Sequence, residues 1–205
     1  MADNILDSVN NYYTEKIKEH GVSPRGVDWN STESQELRFE QLCKVINDKN
    51  SFSILDYGCG YGALLQYLNK SGYNSSYYGF DISDEMIAQA KKSNGNDNAV
   101  WTTKLASEET FDYTIASGIF NVRLGTNDAD WTNYIQETLT TLNKYSKKGF
   151  SFNMLTSYSD KEYMRDYLFY ANPAYFFDFC KKKFSKYVAV LHDYPLYEFT
   201  ILVRK

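Results

Sequence analysis

Two acids flank a run of glycines in this chain. Ile54-Leu55-Asp56-Tyr57-Gly58-Cys59-Gly60-Tyr61-Gly62 passes from an apolar stretch through a carboxylate into three glycines at alternate positions, and Ala63 to Leu68 then follows with helix-forming residues. The pattern predicts a buried strand, a tight turn and a helix start. Glycine suits a turn where the chain reverses sharply and where a ligand must approach the backbone with no Cβ between them. The helix start presents free N–H groups and the positive end of the helix dipole. The second acid closes Tyr77-Tyr78-Gly79-Phe80-Asp81, about 20 residues past the glycines, where a ribose hydroxyl is held in nucleotide-binding sheets. Asp56 stands two residues before the first glycine, where a carboxylate repels a pyrophosphate and attracts an amino group.

Gly58, Gly60 and Ala63 also satisfy the dinucleotide spacing G-x-G-x-x-A, which alone is a weak signal. The two acids instead fit a ligand with a ribose, an ammonium and no phosphate, and S-adenosylmethionine is such a ligand. On these residues the chain resembles the class I, Rossmann-like S-adenosylmethionine-dependent methyltransferases. Leu55 to Gly62 is similar to that family's first motif, Gly79-Phe80-Asp81-Ile82-Ser83 with Met86-Ile87 to its second, and Phe111 to Gly118 to its fourth-strand motif; the resemblance spans roughly Phe39 to Lys205. It implies that Asp81 takes the ribose hydroxyls and that Asp56 anchors the methionine end, directly or through water. It further implies that Gly58 and Gly60 let the cofactor lie against the turn and that Ile82 and Met86 flank the adenine. For Met86 a place in the helix core is the alternative. An N-terminal helical lid is expected over cofactor and substrate, with Gly26 to Asn30, including Trp29, as lid material.

The elements that must position these residues follow from periodicity. Helices are expected over Asp3–His20 and from Ser31 or Thr32 to about Asp48. Strands are expected at Phe52–Tyr57, Ser76–Asp81, Ala99–Thr102, Phe111–Ser117 and Gly149–Leu155. Helices lie between them at Gly62–Lys70, from Ser83 to Lys92 and from Asp130; a turn covers Asn94–Asn98, and the third connection is too short for a long helix. Alternation of this kind means a parallel sheet with helices on both faces. Ser159–Tyr170 and Ala174–Phe184 read as two aromatic helices, and Tyr187–Leu191 and Tyr197–Val203 as a hairpin that its short connector forces to be antiparallel. The expected fold is therefore α/β: a Rossmann-like, doubly wound seven-stranded sheet, mostly parallel with an antiparallel C-terminal hairpin. One domain is expected over 1–205, with 1–50 as the lid, 51–158 as the cofactor core and 159–205 as aromatic helices and hairpin. A dehydrogenase domain would continue instead with a helix and a sixth parallel strand.

Ligands of an open parallel sheet bind at the carboxyl ends of its strands. That rule selects Asp56, Tyr57, Gly58 and Gly60; Asp81 and Ile82; Thr102 to Leu105, where adenine would pack; and Ser117 on the cofactor side. On the acceptor side it selects Asn121, Arg123, Tyr158 and His192. His192 is the candidate general base with Asp193 to orient it, and a backbone-bonded turn histidine is the alternative. Asn121 and Arg123 either grip the acceptor or brace the lid. Trp101 reads as core rather than as an adenine stacker. No Asn/Asp-Pro-Pro-Tyr/Phe follows strand four, no cysteine ends a strand in the acceptor half, and no metal-ligand spacing appears, so base-amine, cytosine-C5 and magnesium-dependent catechol chemistries are disfavoured.

The 205 residues carry 22 basic and 26 acidic side chains, a net −4, which disfavours a nucleic-acid partner. The three cysteines (Cys43, Cys59, Cys180) lie far apart and read as reduced thiols of a cytoplasmic protein, and no long apolar span suggests a membrane. Nineteen tyrosines are expected to share out between the core, a pocket and a homodimer face. The expected activity is methylation of a small polar acceptor at oxygen or nitrogen, with a sugar or glycan precursor preferred. A nicotinamide-dependent oxidoreductase and a non-catalytic S-adenosylmethionine-binding protein are the alternatives.

Overall fold

The computed structural model describes residues 2–95 and 99–205. Seven strands form one sheet: β1 (Asn50–Tyr57), β2 (Asn74–Phe80), β3 (Ala99–Thr102), β4 (Phe111–Ala116), β5 (Ser146–Leu155), β6 (Tyr187–Leu191) and β7 (Glu198–Arg204). Their order is β3-β2-β1-β4-β5-β7-β6. The first five pair in parallel, and β7 runs antiparallel between β5 and β6. The doubly wound sheet with its antiparallel hairpin is thus as the sequence predicts. Part of the turn expected at Asn94–Asn98 lies outside the described residues.

Six helices pack on the sheet: α1 (Ala2–His20), α2 (Thr32–Cys43), α3 (Ala63–Lys70), α4 (Asp84–Ser93), α5 (Asp128–Tyr145) and α6 (Pro173–Lys183). Side chains start most of them. Ser31 and Ser34 form a reciprocal capping box on α2, the Ser83 hydroxyl accepts from the Met86 N–H at 3.3 Å, and the Asn127 and Asn172 side chains cap α5 and α6. Strand periodicity divides the core between the two faces. Phe199, Ile201 and Val203 of β7 join Phe150 and Phe152 of β5 under Trp131 and Ile135 of α5 and Phe176 of α6. Leu202 points the other way, to Ile54 of β1, Leu42 of α2 and Leu64 and Leu68 of α3. Complete burial of side chains such as Trp131 and Leu42 contributes on the order of 1.5–3 kcal/mol each.

One expected element is absent. Residues 159–170, read as a helix, contain only a 3-10 turn at Lys161–Tyr163. Tertiary hydrogen bonds hold this stretch instead: Arg123 and Leu124 N–H groups donate to the Tyr167 carbonyl at 3.0 Å, and the Phe169 N–H to the Asn121 carbonyl at 2.8 Å. These bonds hold the stretch as a chain of turns that composition alone does not reveal.

Candidate active site

The ends of β1, β2 and β4 open into a cavity that α1 roofs with Leu6, Val9 and Tyr13. Asp81 anchors its floor. One carboxylate oxygen accepts the Gly60 N–H and the other the Ser83 N–H, each at 2.9 Å. Gly58 and Gly60 hold φ of 84° and 53°, the left-handed region that favours glycine, and this geometry aims the Gly60 N–H at Asp81. Burial raises the Asp81 pKa, and the backbone donors oppose that rise. Each oxygen keeps a lone pair for a further donor, so the carboxylate is built to take two hydroxyls. Ile82 and Met86 line the same cavity, as does Ser117, whose hydroxyl is buried without a partner. An orphaned hydroxyl facing a cavity marks a place where a ligand group fits.

Asp56 sits lower, behind the glycine turn. It is 2% exposed and accepts the Tyr77 hydroxyl, and burial pushes its pKa up to about 7. It borders a smaller cavity that shares Gly58, Gly60 and Ser117 with the one under α1. A charged amino group arriving there would favour the ionised form.

Over the cavity lie α1, the turn at Pro24–Val27 and the residues after it. Asp28, at φ 63°, accepts the Tyr12 hydroxyl at 2.8 Å and pairs with Lys16 at 3.3 Å, and Thr14 meets the capping hydroxyl of Ser83 at 2.9 Å. Trp29 then lies against Gly118, where a Cβ would approach its indole ring to 2.2 Å. Its ring also stacks under the Arg38 guanidinium, 3.9 Å from the ring centre. Arg38 is clamped by Glu198 through contacts of 2.5 to 3.0 Å. Glu198 also accepts from the Asn153 side-chain amide N–H at 2.5 Å, and the Asn153 side-chain Oδ1 accepts the Gly118 N–H at 2.8 Å. The chain of contacts therefore closes on itself from Trp29 through Arg38, Glu198, Asn153 and Gly118.

Beyond Trp29 lies a second cavity, which shares Tyr13, Val27 and Trp29 with the first. Asn121 borders it, although its side-chain oxygen is taken by the Leu155 N–H at 3.1 Å. Arg123 does not border it. Its guanidinium donates to the Leu168 and Thr126 carbonyls and pairs with Asp128, which makes it a brace. Tyr158 is 74% exposed and His192 is exposed beside it, with ring centres 5.9 Å apart, and neither borders either cavity. The end-of-strand rule places His192 on the correct edge, but β6 is the outermost strand, and β7 separates it from β5. Trp101 and Thr102 to Leu105 also lie outside the cofactor-side cavity. Trp101 packs over Gly62 and Gly79, where a Cβ would meet its ring at 2.5 Å.

Sequence reasoning passed over Arg38, Glu198, Tyr13 and Tyr77. Glu198 had a signal of sorts: it is an acid opening an apolar strand, and β7, running backwards, begins where β5 ends. Among the described residues no three His, Cys, Asp or Glu side chains group to hold a metal ion.

Comparison with known proteins agrees with this geometry. A family described as "Methyltransferase domain" matches residues 54–145. The Mycobacterium tuberculosis protein "Putative methyltransferase Rv1506c" is 53% identical over 163 residues, covering 79% of this chain and 98% of the relative. The chain belongs to the methyltransferase family. Among solved structures, magnesium protoporphyrin IX methyltransferase from Synechocystis PCC 6803 with bound SAH superposes with a TM-score of 0.65 at 14% identity, over 99% of both chains. The DhpI-SAM-HEP complex superposes at 0.64 and 14% identity, over 98% of this chain and 95% of that one. At this level of identity the likeness is one of fold. Membership removes the oxidoreductase reading that Gly58, Gly60 and Ala63 had kept open. No described helix of the methyltransferase is long and apolar enough to cross a membrane.

Proposed function

We propose that this methyltransferase uses S-adenosylmethionine and methylates a small polar acceptor at oxygen or nitrogen, with a sugar-like ring as the preferred class. The observation that carries this reading is the meeting of two cavities at Trp29, one floored by the Asp81 carboxylate and the other walled by tyrosines and amides. When bound, the cofactor supplies an electrophilic methyl group on a sulfonium. The chain supplies the rest: Asp81 holds ribose hydroxyls, Gly58 and Gly60 permit close approach, Ile82 and Met86 flank a flat ring, and Asp56 and Ser117 serve the amino acid tail. Trp29 and Val27 shape the passage between the cavities and exclude water there, so that positioning and desolvation do much of the catalytic work.

A base is needed only where the acceptor must lose a proton. Asp28 and Glu198 border the acceptor cavity and His192 does not, so the base role is not assigned to His192. The chain acts as one unit in this reading, with 1–50 as lid, 51–158 as cofactor core and 159–205 as acceptor wall and hairpin. The net charge of −4 argues for a small-molecule partner over nucleic acid. Three buried, unpaired cysteines favour the cytoplasm, and exposed tyrosines such as Tyr175 and Tyr187 are candidates for a homodimer face. Calorimetry with S-adenosylmethionine and NADH tests the cofactor: the former is expected to bind and the latter not, and the reverse result overturns the proposal.

A further inference from the structure

The second cavity contains an uncompensated positive charge. Four charged side chains border it: Asp28, Arg38, Arg165 and Glu198. Arg38 and Glu198 neutralise each other, and Asp28 is matched by Lys16. Among the described residues no carboxylate pairs with Arg165. Asp160, which does not border the cavity, accepts the hydroxyl of Tyr197, which does.

Arg165 is also held in place. Its Nη1 donates to the Glu162 carbonyl at 3.1 Å and the Met164 carbonyl at 2.9 Å. Its backbone is tied at both ends: the N–H donates to the Tyr170 hydroxyl at 2.9 Å, and the carbonyl accepts the Leu168 N–H at 3.0 Å. With Nη1 occupied, the edge formed by Nε and Nη2 remains. That edge is the planar fork that binds a carboxylate or phosphate through two parallel hydrogen bonds. The Tyr170 hydroxyl accepts from the Arg165 backbone and so keeps its own proton to donate, and Tyr170 borders the same cavity. An arginine fixed by carbonyls beside a tyrosine donor, in a cavity whose other charges cancel, is a site for one anionic group.

We infer that the acceptor carries a carboxylate or phosphate, which Arg165 and Tyr170 hold in the second cavity while the rest of the acceptor extends toward Trp29. This rests on the two-cavity reading above and narrows it from a polar acceptor to an acidic one. The chain as a whole carries a net −4, so general attraction does not draw anions to it, and any preference for them must arise locally.

The test uses matched probes on protein saturated with S-adenosylhomocysteine at physiological salt. Glucose, glucuronate and glucose 6-phosphate are titrated in turn by calorimetry or ligand-observed NMR. At least one anionic probe is expected to bind tenfold or more tightly than glucose, and which one wins separates carboxylate from phosphate. Arg165→Gln is expected to abolish that preference while S-adenosylhomocysteine binds as before. Glucose binding as well as both anions, including all three failing alike, overturns the inference, as does a preference that survives in Arg165→Gln. Failure of wild-type protein to bind S-adenosylhomocysteine at the outset would strike the cofactor reading instead, so the two failures are distinguishable.

Discussion

Asp56 is a buried carboxylate and Asp81 a half-buried one, and their surroundings differ. Asp81 receives one backbone N–H on each oxygen and faces the cavity under α1, so it is ready for hydroxyl donors. Asp81→Ala is expected to weaken S-adenosylmethionine binding by about 1.5–3 kcal/mol, the scale of a charge-assisted hydrogen bond, and calorimetry with an unchanged affinity would remove its ribose role. Asp56 has the Tyr77 hydroxyl as its partner, and burial lifts its pKa from an ordinary 3.8 to about 7. Between those values the folded chain holds a proton that the unfolded chain has released. The stability this provides is complete below about pH 4 and is lost as pH rises through 7. Asp56→Asn keeps an acceptor for Tyr77 and removes the titration. Unfolding free energies of the variant from urea titration are therefore expected to fall less than those of wild type between pH 5 and pH 8, by an amount on the order of a few kcal/mol, whereas parallel profiles would show that Asp56 does not titrate in that range.

Scaled up to elements, the contact of Trp29 with Gly118 joins the lid to β4, and Arg38 with Glu198 joins α2 to β7. Gly118→Ala meets two obstacles: φ of 74° and a Cβ lying 2.2 Å from the indole. Only the second disappears in a Trp29→Ala background. Gly118→Ala should therefore destabilise wild type more than Trp29→Ala protein, by a coupling within the roughly 0.5–3 kcal/mol seen for residues in contact, and additive effects would mean that the two do not press on each other. Arg38→Met leaves Glu198 buried without its partner and should cost about 3–5 kcal/mol in chemical denaturation. These same elements show what a sequence discloses. The glycine turn, the capped helix at Ser83 and the hairpin were legible because each is written in neighbouring residues. The Arg38–Glu198 pair spans 160 positions, and no local pattern announces it. The stretch 159–170 looked helical because it lacks glycine and proline, yet bonds from Asn121, Arg123 and Leu124 set its backbone. His192 lies away from both cavities for a related reason: the end-of-strand rule identifies the active edge of a sheet but not how far from its centre each strand lies.

For the whole molecule, the question is how a ligand enters a cavity that α1 roofs. Leu6, Val9 and Tyr13 of this helix face the cavity, and Ile5, Val9 and Ile17 are its buried anchors. Its polar ties among the described residues include Thr14 to Ser83, Tyr12 and Lys16 to Asp28, and the His20 carbonyl to Ser23. The sheet beneath is different in kind, with β4 and β5 buried along most of their length and hydrogen-bonded on both sides. A segment with few anchors opens at lower free energy than the core it covers. Cofactor in the cavity adds contacts to α1 and to the turn at Pro24–Val27 while leaving the inner strands as they are. Hydrogen exchange with and without S-adenosylhomocysteine is therefore expected to slow in α1 and in the turn by tenfold or more, with amides of β4 and β5 little changed. Thr14→Val, which removes the tie to Ser83, should raise exchange in α1 of the free protein and leave the sheet unaffected. Equal slowing across lid and sheet would mean that ligand stabilises the fold globally and that α1 does not open on its own. Unchanged exchange in α1 would mean that the helix is no part of the cofactor's enclosure.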